Sequence, residues 1–135
     1  MKNLKLLLIP FVCLMMAINF VSCDKEDSEP SNSNNNFIGT WDSEFLGRMS
    51  RDELESMDLN DKTITNHYEY FTFNKDNTGY DIYYDGSRTD WEWEIIDETL
   101  YLSDGKYYEI VKYNKNVIYL LRLSSYPAGL KLVRK

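Results

Sequence analysis

Trp91-Glu92-Trp93-Glu94-Ile95 alternates large apolar and acidic side chains with a period of two, the pattern of a strand with one buried face and one wet face. Thr78, Tyr80, Ile82 and Tyr84 share one face of a second such run, and Leu100 and Leu102 one face of a third. Turn-forming clusters divide these runs: Asn74 to Asn77, Asp85-Gly86-Ser87, Asp97-Glu98, Asp104-Gly105, Asn114 to Asn116 and Ser124 to Gly129. The pattern predicts strands near 39–46, 67–73, 78–84, 88–96, 99–103, 106–113, 117–123 and 129–134. Short spacings and hairpin-type turns make this an all-β antiparallel meander of about eight strands, closed as a barrel or folded as a sandwich. A barrel would remove the exposed strand edges. The one helical signal is the capping-box pattern Ser50 to Glu53, ahead of Leu54 and Met57, which predicts a short helix after the first strand.

The first 22 residues follow a different pattern. Lys2 and Lys5 precede a run from Leu6 to Val21 that carries no charge, which reads as a secretory signal peptide. A membrane-spanning helix needs roughly 20 apolar residues, more than this run supplies. Val21-Ser22-Cys23 resembles the lipobox of bacterial lipoproteins, in which the signal is removed ahead of a lipidated cysteine. Cys13 lies inside the leader, so the mature chain keeps one thiol and forms no internal disulfide. The resemblance makes Cys23 the lipid attachment site and the membrane the partner of that residue. Two or three acyl chains give stable anchoring.

Acids follow the cysteine at once, as Asp24, Glu26, Asp27 and Glu29. This cluster resembles the export signal of Bacteroidetes surface lipoproteins, which implies an outer-membrane protein, lipid-anchored and facing outward. Residues 31 to 36 (SNSNNN) extend it as a polar tether, so the organisation expected is leader 1–22, lipidated cysteine and tether 23–36, domain 37–135.

All 22 acids lie beyond Cys23 whereas Lys2 and Lys5 precede it, so loss of the leader moves the net charge from −7 to −9. That excludes nucleic acid, which demands basic patches. His67 is the only histidine, so neither a multi-histidine metal site nor a Ser-His-Asp triad can be assembled. Asn74 to Gly79 looks like the first half of a calcium loop, but no closing Glu follows and a hairpin turn explains the same residues. No metal, cofactor or catalytic residue is assigned, and the chain is read as a non-enzyme.

Phe37-Ile38-Gly39-Thr40-Trp41 resembles the Gly-x-Trp opening of lipocalins, and of lipocalin-like domains in Bacteroidetes lipoproteins. The likeness continues through Phe71-Thr72-Phe73 with Gly79, Trp91-Glu92-Trp93, and Tyr108-Glu109-Ile110 with Val117 to Leu121. It implies an up-and-down barrel whose closed end packs around Gly39 and Trp41, with an arginine, Arg122 or Arg134, stacked on the indole. The function expected is binding of a small molecule, glycan or protein at the barrel mouth; the alternative is a pocketless structural or interaction subunit, or an enzyme inhibitor, in an outer-membrane complex. Tyr83-Tyr84 and Tyr107-Tyr108 each turn one ring outward on a regular strand and are candidate contacts. Any cavity is expected to be shallow and open only at the mouth, since eight strands enclose room for side chains or one small ligand.

Overall fold

The computed structural model describes residues 32–135. The leader, Cys23, the acid cluster of Asp24, Glu26, Asp27 and Glu29, and the first part of the tether lie outside the described residues. Eight strands run β1 (Gly39–Arg48), β2 (His67–Phe73), β3 (Thr78–Tyr83), β4 (Arg88–Ile96), β5 (Thr99–Leu102), β6 (Tyr107–Tyr113), β7 (Val117–Arg122) and β8 (Ala128–Arg134). Each pairs antiparallel with its sequence neighbour, and β8 pairs back onto β1, so the meander closes as a barrel rather than splitting into a sandwich. Closure gives every strand two partners and leaves no free edge.

The inward positions fill the barrel in layers. Trp41, Phe71, Phe73, Trp91, Trp93, Leu100, Leu102, Ile110, Ile118, Leu120, Leu130 and Leu132 form one continuous core. Trp91 and Trp93 point in while Glu92 and Glu94 stay exposed, as alternation predicts. Phe73 touches Trp91 and Trp93 at ring separations of 5.2 and 5.3 Å. Gly79 pairs with Phe73 across β2 and β3, and a methyl group there would meet the Thr72 carbonyl oxygen and the Trp91 ring at 2.4 Å. Only glycine lets that indole lie flat over the strand.

One end of the barrel is sealed. Trp41 is fully buried and donates through Nε1 to the Phe37 carbonyl at 2.7 Å. The Arg134 guanidinium lies 4.2 Å from the centre of its ring and donates to the carbonyls of Asn36, Ile38 and Lys115. Gly39 has φ of +131°, and a Cβ there would sit 2.5 Å from Arg134 Nη1, so its lack of a side chain admits the guanidinium. Arg122 takes no part in this stack and sits at the opposite end of the barrel, on the last residue of β7. The tether expected to run to residue 36 ends instead in a short helix, α1 (Asn32–Phe37), and Phe37 at its end is fully buried against Phe73.

The long β1–β2 connection forms a second layer outside the barrel. Ser50 caps the short helix α2 (Arg51–Glu55) with both halves of the capping box in place. Leu54 of α2, with Met57, Leu59 and Ile64 beyond it, packs on Val117, Tyr119, Leu121 and Val133. Strand β7 (VIYLLR) is therefore buried on both faces along its first five residues, which accounts for its unbroken apolar run. Carbonyls of the same segment accept from Tyr119 Oη (Asp58, 2.9 Å), Asn114 Nδ2 (Leu59, 3.1 Å) and the buried Lys131 Nζ (Thr63, 2.7 Å).

Candidate functional site

At the open end the inward face turns polar. On β2, Glu69 lies in phase with Phe71 and Phe73, and on β3 Asp81 lies between Gly79 and Tyr83. The register sets Glu69 opposite Tyr83 and Phe71 opposite Asp81, so the two carboxyls occupy adjacent inward positions. The inward face of β3 is thus Gly79, Asp81 and Tyr83, and the more apolar face with Tyr80 and Ile82 points outward. Arg88 covers the outward Tyr80 ring at 3.8 Å.

Glu69 is 2% exposed and Asp81 is wholly buried. A β1–β2 register shift beside Ser43 fixes the first of them. Ser43 Oγ donates to the Glu69 carbonyl at 2.6 Å and accepts from its amide at 3.1 Å. Apart from each other, Glu69 Oε2 and the Asp81 carboxyl oxygens have no hydrogen-bond partner among the described residues. Burial drives the Glu69 carboxyl up to about 8, helped by the Asp81 charge and by a hydrogen bond in which protonated Glu69 donates to Asp81; Lys106 and Arg122 oppose the shift. At neutral pH Glu69 therefore keeps its proton.

Lys106, in the turn ahead of β6, answers the remaining charge. Its Nζ lies 3.6 Å from Asp81 and 3.4 Å from Asp104, and donates to Tyr83 Oη at 3.1 Å. Burial works against the ammonium, but the Tyr83 hydroxyl and Asp81 outweigh it and hold Lys106 above the ordinary lysine range. Burial, with the neighbouring Glu69, likewise raises the Tyr108 hydroxyl.

These groups surround a cavity of about 70 Å³ at the mouth, lined by Phe45, Tyr68, Glu69, Tyr83, Lys106, Tyr108, Arg122 and the start of β8. The size suits a few waters or one small group. Of the tyrosines singled out in the sequence, Tyr83 and Tyr108 line the cavity, while Tyr84 and Tyr107 point into solvent. Tyr107 stacks with Tyr101 at 6.0 Å on the outer face. Near it a broad, open groove of about 550 Å³ is lined by Asp76, Glu92, Glu94 and Tyr101. It is wide but shallow, and its polar residues are solvated; the smaller mouth cavity is the one that holds a desolvated carboxyl.

Composition alone did not single out Glu69, Asp81 or Lys106. The usable signal was phase, because a glutamate two residues before Phe71 and four before Phe73 must share their inward face. His67 opens β2 at the surface and pairs with Asp42. The Asn74 to Gly79 segment is a hairpin turn in which Asp76 accepts from Thr78 N and Oγ1, and no group of three metal-ligating side chains occurs among the described residues. No protein-family model matches the chain, and no curated protein is detectably similar to it.

Proposed function

We propose that this chain is an exported lipoprotein, anchored through Cys23 to the outer membrane, whose lipocalin-like barrel binds a small molecule or the end of a glycan at its mouth. The anchoring half rests on the leader, the lipobox-like Val21-Ser22-Cys23 and the acids at 24, 26, 27 and 29, which favour the outer face. The binding half rests on one observation: Glu69, a buried carboxyl whose Oε2 has no partner among the described residues besides a second carboxyl, Asp81, forms part of the wall of a cavity that opens at the mouth. A barrel required only to stand would fill that position with an apolar side chain, since burying two carboxyls side by side is destabilising. Desolvated, coupled carboxyls in a cleft are what binding and catalytic sites contain. The packed floor around Phe71, Trp91 and Trp93 limits the occupant to a small group or the head of a larger molecule.

A second reading, an interaction subunit of an outer-membrane complex, draws on the exposed Tyr101–Tyr107 stack beside the acid-lined groove. Native mass spectrometry of the protein extracted from its own cells separates the two. A small-molecule companion that leaves when Arg122 is replaced supports the mouth site. A protein companion retained by the Arg122 variant and lost with Tyr101→Ala supports the subunit instead.

A further inference from the structure

Resting on the ligand-binding reading above, we propose that the mouth cavity takes a small organic carboxylate, its acidic group between Arg122 and Lys106 and its apolar body toward Phe45 and Tyr68, beside the buried pair Glu69 and Asp81.

The charges around the cavity carry this assignment. Glu69 is faced by Asp81 and Tyr83 from β3, by Lys106 and the nearby Asp104 from the β5–β6 turn, by Tyr108 from β6, by Arg122 from β7 and by Tyr68 on its own strand. Both cations line the cavity, whereas Asp81 lies behind its wall. Lys106 is tied to Asp81, Asp104 and Tyr83. Arg122 is exposed and forms no ion pair among the described residues. A guanidinium with no ion pair among the described residues matches a carboxylate in shape and charge. The one carboxyl on the lining, Glu69, touches a second buried carboxyl, and burial with that contact holds its proton above the ordinary carboxylate range. With Glu69 protonated, the lining carries Lys106 and Arg122 and no negative charge. The phenols of Tyr68, Tyr83 and Tyr108 add donors, and Phe45 and Leu130 add apolar wall.

Removing the Glu69 proton places a further negative charge inside the barrel, directly against a bound anion. At separations of a few ångströms, and with little water between, that repulsion lowers affinity by tenfold or more, on the order expected for partly buried charges. By linkage, a bound carboxylate must in turn hold the proton on Glu69.

The test is titration calorimetry on the full chain in detergent, with benzoate, inorganic phosphate and benzylamine as probes. Benzoate should bind saturably at pH 6.5 and at least about tenfold more weakly at pH 9.5. Near pH 8, runs in buffers of different ionisation heat should show proton uptake with binding. Glu69→Gln should bind benzoate equally at both pH values, and the surface change Arg122→Gln should abolish binding while leaving the near-ultraviolet circular dichroism unchanged. Preference for benzylamine, binding of phosphate without benzoate, or a wild-type benzoate affinity independent of pH would each overturn the proposal. If benzoate fails while native mass spectrometry still finds a small companion released by Arg122 replacement, only the carboxylate assignment falls. If neither is seen, the binding reading falls with it.

Discussion

Replacing Glu69 by glutamine should make the protein more stable in alkali than the wild type, by an amount the structure lets one work out. The unfolded chain ionises Glu69 near its ordinary value of 4.5, whereas the folded chain holds the proton to about 8. Between those values the native state binds more protons than the unfolded state, so stability falls as pH rises. The stabilising effect of the retained proton is complete below pH 4.5 and lost as pH climbs through 8. At about 1.4 kcal/mol per unit, the full difference is on the order of 4–5 kcal/mol. Glutamine keeps the shape, carries no charge and can still donate to Asp81. Urea unfolding of wild type and Glu69→Gln at intervals from pH 5 to 9 should give a difference curve that moves steadily toward the variant, by several kcal/mol over the range. Taking the difference cancels the exposed carboxylates held low by Thr63, Thr78 and Ser87, which weaken the fold only in acid. Parallel curves for the two proteins would show that Glu69 is ionised throughout and refute the retained proton.

Other perturbations test other parts of the account. Trp41→Ala should lower stability by about 3–5 kcal/mol, as large truncations in a packed core do, and should not act selectively on ligand binding; equilibrium denaturation with and without ligand decides this. Gly79→Ala should destabilise by about 1–3 kcal/mol or more, because its methyl group cannot coexist with the Thr72 carbonyl and the Trp91 ring, and tryptophan fluorescence should report the displaced indole. Cys23→Ser should abolish incorporation of a labelled fatty acid; label retained by the variant would show that the thiol is not the anchor. Exchanging Asp24, Glu26, Asp27 and Glu29 for alanine should keep the label but protect the protein from protease added to whole cells.

The strands were legible because this barrel is built largely from local hairpins. Turn residues such as Asn77, Gly86 and Gly105, all at positive φ, punctuate the chain where the strands end. In β4 the alternation of Trp91 and Trp93 with Glu92 and Glu94 also gave the correct inward face. In β3 the same rule points the wrong way: the more apolar side, Tyr80 and Ile82, is the outer one, and Asp81 points in. Periodicity assumes that the inside is apolar, and here the mouth half encloses a carboxyl pair answered by Lys106, a residue from another hairpin. Such compensation is a tertiary fact with no local signature. Arg134 rather than Arg122 stacks on Trp41 for a related reason. Residue spacing left both open, and the choice follows from β8 running toward the sealed end while β7 runs toward the mouth.

The central claim is that the mouth, rather than the outer wall, meets the ligand. Backbone amide shifts in ¹⁵N-labelled protein, titrated with the small-molecule fraction of its own cell envelopes, test it most directly. The account predicts saturable shifts gathered at Tyr68, Glu69, Tyr83, Tyr108, Arg122 and Gly129, with Glu92, Glu94 and Tyr101 unmoved. Shifts confined to Glu92, Glu94, Tyr101 and Tyr107, or none at the mouth at any concentration, would contradict it.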